Sequence, residues 1–248
     1  DIILAGATKE GYTFAGWCND AAFSTQITTI PQGSTGDIEL YAKFTPTNYS
    51  VTYYLDDGFN NSANPDSYNI ESEDIILGDA AKEGYTFAGW YSDAAFSTQI
   101  TTIPKGSTGD IELYAKYGPI NYAITYHLYN GFNNEANPAT YNVESDNITL
   151  ADAFKDYYFF LGWYTDAAFS TQITTIPQGS IGEVELYARF TPIFYFIEYY
   201  PGSGFNNPAN PTNYNIESED IILEDATKEG YNFLGWYKGQ DVSARERD

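Results

Sequence analysis

From Tyr49 to Leu55 the chain reads YSVTYYL, with Tyr49, Val51, Tyr53 and Leu55 alternating against Ser50, Thr52 and Tyr54. That period of two is the pattern of a half-buried strand. IELYAKY at Ile111–Tyr117 alternates in the same way, aligning Ile111, Leu113, Ala115 and Tyr117. Two further apolar runs lie between them, the short DIIL at Asp74–Leu77 and the aromatic-rich YTFAGWY at Tyr85–Tyr91. The first connection, DDGFNNSANPDSYN, is turn material, with Gly58 and the Asn64-Pro65 step restricting the backbone. In the last connection, SDAAFSTQITTIPKGSTGD, Ser92 or Asp93 is placed to cap one helical turn over AAFS. No helical period is sustained there, and Pro104 and Gly106 point to a loop. The pattern therefore predicts four strands with at most a short helix, a mostly β fold that is α+β at most.

The whole pattern recurs. Trp17, Trp90, Trp163 and Trp236 are spaced 73 residues apart, and AAFSTQITTIP is identical at Ala21, Ala94 and Ala167. FNN followed by NP and YN starts at Phe59, Phe132 and Phe205. A fixed long period means a tandem array of small modules. With boundaries at Pro46, Pro119 and Pro192, residues 48–120 and 121–193 are whole repeats. Residues 1–47 are then the later part of one repeat and residues 194–248 the earlier part of another. A tail from Lys238, KGQDVSARERD, leaves the pattern. The chain reads as a stretch of something longer, and each unit is large enough for one small core.

Two glycines carry conformational expectations. Gly89 stands inside a strand in every copy, which marks a bulge that would turn Trp90 to the side of Phe87. Gly84 is replaced by Tyr157 in the next copy, so that position is not expected to need a positive φ. The tryptophans read first as the core of a domain poor in other large apolar residues, and second as a sugar-stacking platform.

Composition narrows the partners. The formal net charge is −23, with eleven acidic and three basic residues in 48–120 and eight and two in 121–193. Nucleic acid, polyanions and anionic membranes call for basic patches, so none is expected as a partner. Spread acidity is read as a solvated, self-repelling surface. One cysteine excludes an intramolecular disulfide framework. No stretch approaches a membrane span, so no direct membrane insertion is expected within this segment. No signal peptide is visible, which in a piece of a longer chain decides nothing.

Candidate chemistry is sparse. Cys18 and His127 are single-copy replacements of tyrosine, Cys18 for Tyr91, Tyr164 and Tyr237, and His127 for Tyr54 and Tyr200. A nucleophile needs a positioned base and a metal site needs several ligands together, so both read as variants. Asp56-Asp57-Gly58 becomes Tyr129-Asn130-Gly131 and Gly202-Ser203-Gly204, and no EF-hand spacing is present. ESED at Glu71–Asp74 reads as a solvated lead-in to a strand. No phosphate loop or catalytic triad is found, and no enzyme, cofactor or metal is expected. The best candidate ligand site is the asparagine-rich loop: Phe59, Asn60, Asn61 and Asn64, repeated at Phe132, Asn133, Asn134 and Asn137. Amides beside an aromatic ring can bond and stack on a sugar. The competing reading is a rigid turn whose asparagines bond their own backbone, and it is preferred.

KEGYTFAGWYSDAAFST at Lys82–Thr98, closing on GSTGDIELYAKY, resembles the bacterial InlB B-repeat, also called the Listeria–Bacteroides repeat. The third copy departs from the pattern at Tyr157 and Arg189, the first at Cys18. The resemblance covers nearly the whole chain. It implies β-grasp-like modules in an elongated tandem array, in secreted or cell-wall-attached bacterial surface proteins, often adhesins, with no catalytic residues to carry over. The expected role is an extended stalk presenting other domains. The alternative is an adhesive array holding host glycan or surface protein through many weak contacts. Lateral self-association through sheet edges is a third expectation.

Overall fold

The computed structural model describes residues 1–238. Of the divergent tail, all but Lys238 lies outside them. The chain divides into two compact units, Asp1–Ile120 and Asn121–Asp248.

In the first unit, residues 48–120 build a five-stranded sheet. Its order across the sheet is Gln99–Ile100, Tyr85–Tyr91, Ile111–Pro119, Tyr49–Tyr54 and Ser67–Tyr68. The last long strand sits in the middle. It runs antiparallel to Tyr85–Tyr91 and parallel to Tyr49–Tyr54, placing Leu113 opposite Tyr53 and Ala115 opposite Trp90. A parallel pair cannot be closed by a hairpin, and the long chain from Tyr54 to Ile111 provides the crossover. On that path Ile75–Ile76 and Thr102–Ile103 pair as a separate two-stranded sheet. Leu113 is fully buried and Trp90 is 2% exposed, and both pack with Val51, Tyr68, Leu77, Ala80, Ile103 and Ala115.

Residues 121–193 in the second unit repeat this arrangement. The strand Val184–Pro192 lies between Tyr122–His127, which it pairs in parallel, and Tyr158–Tyr164. Its core holds Ile124, Tyr141, Leu150, Ala153, Trp163, Ile176, Leu186 and Ala188. Each full repeat thus owns a core. In residues 1–47 the strand starts only at Tyr41, whereas the matching strand of the full repeat starts at Ile111. Ile111–Tyr114 are the residues that pair in parallel with Val51–Tyr54, and residues 1–47 contain no such partner.

The four expected strands are present, and three two-residue strands join them in each full repeat. Among the described residues there is no helix. Over AAFS, Asp93 caps a turn instead: its Oδ1 accepts from the N–H of Ala95 (2.9 Å) and the hydroxyl of Ser97 (3.0 Å), and its carbonyl accepts from the N–H of Phe96. Phe96 has φ +55°, which ends the turn before a second one can form.

The bulge at Gly89 is present. Pairing skips Ala88, so that Gly89 faces Lys116 and Phe87 faces Tyr117. The Phe87 and Trp90 rings meet edge to face with centroids 5.4 Å apart. Gly89 has φ +127°. The expectation for Gly84 is overturned: Gly84 has φ +79° and Tyr157, at the matching position, φ +66°. The turn imposes a left-handed residue whatever the side chain, because hydrogen bonds hold both flanks. Tyr158 N–H donates to the carbonyl of Lys155 (3.1 Å), and Ile193 N–H to that of Tyr157 (2.8 Å).

Candidate functional site

The asparagine-rich loop is held by the residue thought able to bind. Asn64 is buried, and its side chain makes three bonds inside the protein. Its amide donates to Asn60 Oδ1 (2.7 Å) and to the carbonyl of Gly78 (3.0 Å), and its Oδ1 accepts the N–H of Gly78 (2.7 Å). Asn61 Oδ1 accepts the N–H of Ala63 at 3.0 Å, closing a local turn. The indole N–H of Trp90 reaches the same carbonyl of Gly78 at 2.9 Å. The loop is thereby tied to the core tryptophan across the lead-in to Tyr85–Tyr91.

The tie recurs with the period. Asn137 bonds Asn133 (2.8 Å) and both backbone groups of Ala151, whose carbonyl also takes the indole of Trp163 at 2.9 Å. Asn210 and Trp236 converge likewise on Glu224, each at 2.9 Å. Asn134 Oδ1 accepts the N–H of Ala136, matching Asn61. A second support runs beneath the loop: the Tyr53 hydroxyl donates to the carbonyl of Pro65 (2.9 Å), and Tyr126 does so to Pro138 (2.9 Å). Burial pushes both hydroxyls up to about 12.

The rings stay outside. Phe59, Phe132 and Phe205 are 73%, 64% and 76% exposed, although their backbones are pinned by paired hydrogen bonds to Ala81, Phe154 and Thr227. In each full repeat the loop phenylalanine is therefore fixed and solvent-facing beside amides that are mostly engaged internally. Among the described residues no group of three His, Cys, Asp or Glu side chains is placed to hold a metal ion.

The Listeria-Bacteroides repeat domain model matches residues 2–43, 49–116, 122–189 and 195–246. The chain belongs to the Listeria-Bacteroides repeat family. It is 28% identical over 248 residues to a protein of Evansella cellulosilytica named "Putative membrane protein", covering 95% of this chain and 35% of that one. To a "Putative Gly-rich membrane protein" of the same organism it is 24% identical, over 94% of this chain and 26% of the relative. To Internalin H of Listeria monocytogenes it is 33% identical over 112 residues, 44% of this chain and 20% of the relative. The chain thus spans about a third or less of these relatives. No solved structure matches it significantly.

Within these Listeria-Bacteroides repeats the two variant residues have structural places. His127 stacks on Tyr187 at 4.2 Å and 9°, as Tyr54 stacks on Tyr114 at 4.4 Å and 12°. Glu112 accepts the hydroxyls of both Tyr54 (3.2 Å) and Tyr114 (3.1 Å), and Glu185 lies 3.6 Å from His127 Nε2. Cys18 is buried in its strand, opposite Tyr41 and Gln26. Lys116 sits 5.3 Å from the centroids of both Tyr91 and Phe96, and Arg189 takes this place over Tyr164 and Phe169. The periodicity of the sequence locates all these positions. That Trp90 and Asn64 share one carbonyl, however, depends on a packing of segments 12 and 14 residues apart.

Proposed function

We propose that this chain is a non-catalytic spacer, an extended array of repeats on a bacterial cell surface or in a secreted protein that presents other domains. The observation that carries the reading is the internal commitment of Asn64, Asn137 and Asn210, which spends the best polar ligand groups on Gly78, Ala151 and Glu224. Each full repeat has its own core, so length can be added one repeat at a time without redesign. Two relatives are named as membrane proteins, which supports attachment to a cell envelope. No helix among the described residues is long and apolar enough to cross a membrane. The β-grasp-like character implied by the resemblance is supported by the central parallel pair of first and last long strands, although no helix covers it. Small-angle scattering on arrays of increasing repeat number tests the spacer. The maximum dimension should grow by a constant step of about 30 Å per repeat, and growth as the cube root of mass would overturn it.

A second reading has its own observation. The exposed Phe59, Phe132 and Phe205 rings are presented once per repeat on rigid turns, which suits weak, multivalent capture of a host glycan or protein. Affinity for such a ligand would climb steeply from one phenylalanine to three.

A further inference from the structure

The segment from Asn69 to Ser72 is a stiff turn. Asn69 Oδ1 accepts the N–H of Glu71 (3.0 Å), and Ser72 Oγ accepts the N–H of Asn69 (3.0 Å). It does not face its own repeat alone. Glu71 Oε1 accepts the hydroxyl of Tyr12 at 2.9 Å, from the preceding repeat. Beside it Ile70 is half-buried against Gly11: a Cβ placed on Gly11 would lie 2.5 Å from Ile70 Cδ1 and 3.0 Å from its Cβ. The second unit repeats the polar half of this contact, with the Tyr158 hydroxyl 2.7 Å from Glu217 Oε1 and the same turn at Asn215–Ser218. The apolar half is changed. Tyr157 stands where Gly11 stands, and Tyr157 and Ile216 are 56% and 52% exposed.

We propose that within each compact unit the Asn-x-Glu-Ser turn of the later repeat is a docking surface for the tyrosine turn of the repeat before it, so that these neighbours are seated on each other and do not swing at the proline joint. The tyrosine–glutamate bond sets the register, and the residue before the tyrosine sets how closely the two seat. Glycine at position 11 admits Ile70, whereas tyrosine at 157 gives Ile216 no equivalent seat. Residues 1–47 and 48–120 share one compact unit, as docking at this joint requires. This deepens the spacer reading and rests on it for its purpose, since a spacer transmits position only if its joints are set.

The test is the distance distribution between spin labels on Thr35→Cys and Thr108→Cys, both exposed, in the full chain with Cys18→Tyr. The docked joint gives one narrow distribution. Tyr12→Phe with Glu71→Gln, and separately Gly11→Tyr, should broaden it at least twofold while the tryptophan emission of the folded repeats is unchanged. A broad distribution in the parent, or one that neither change widens, overturns the inference. The spacer reading is judged apart from this: linear growth in scattering with a broad label distribution sinks the docking and leaves the spacer. A narrow distribution with cube-root growth does the reverse.

Discussion

The side-chain amide of Asn64 and the indole of Trp90 donate to one oxygen, the carbonyl of Gly78, at 3.0 and 2.9 Å. Asn64 also accepts the N–H of Gly78, so both backbone polar groups of that residue are satisfied from the loop. A buried backbone group stripped of its partner costs about 1–3 kcal/mol. Asn64→Ala orphans one such group outright and weakens the other, and should cost its repeat about 2–3 kcal/mol. Asn64→Asp should cost at least as much, because it sets a carboxylate against a carbonyl. Urea unfolding followed by Trp90 emission measures both. A loss below about 0.5 kcal/mol would mean that the tie is not structural.

Tyr157 occupies a left-handed position that Gly84 fills in the preceding repeat. For a residue with a Cβ this conformation costs about 1–2 kcal/mol, partly offset by the greater freedom glycine has when unfolded. Tyr157→Gly should therefore raise the stability of its repeat by roughly 0.5–1 kcal/mol, and Gly84→Tyr should lower that of its own by a similar amount. Paired thermal melts of the two variants check the sign in both directions.

Gly89→Ala combines a φ of +127° with a Cβ 2.4 Å from Gln99 Nε2. The glutamine end can move, so the cost is mainly backbone, about 1–3 kcal/mol. Because the bulge aims Trp90 inward, the variant should also red-shift its emission.

Acid should weaken the turns after the tryptophan strands. The Ser170 hydroxyl and then its N–H hold the Asp166 carboxyl below its ordinary value, and Ser24 does the same for Asp20. Lowered folded values mean that the unfolded chain binds more protons, so this stabilisation is present above about pH 4 and fades as pH falls through the folded values. At the alkaline end, Tyr53 and Tyr126 are raised to about 12 by burial. Their contribution is complete below about pH 10 and is lost as pH rises from there towards 12. Melting temperature against pH should therefore fall at both ends. Tyr53→Phe with Tyr126→Phe should flatten only the alkaline limb.

The long strands were legible because their alternation marks burial: Val51 and Leu113 are buried as the pattern of YSVTYYL and IELYAKY requires. Ser67–Tyr68, Gln99–Ile100 and Thr102–Ile103 were not, since two residues carry no period. The parallel pairing of Ile111–Tyr114 with Val51–Tyr54 joins segments about 60 residues apart that alternation alone does not match. Tyr157 misled because a change from glycine to tyrosine argues for relaxed backbone, whereas the hydrogen bonds of the turn impose the strain on either residue. At the asparagine loop the sequence marked the residues as candidates, but packing alone reveals that Asn64 and Asn137 turn inward while Phe59 and Phe132 stay out.

The proposed spacer role of the repeats is tested most directly by applying the full chain to a broad glycan array and to host-cell surfaces, beside a variant with Phe59, Phe132 and Phe205 changed to serine. Folded protein that stays silent in both forms is the expected result. A salt-tolerant signal in the parent that the triple variant abolishes would contradict the spacer and make the exposed rings an adhesive surface.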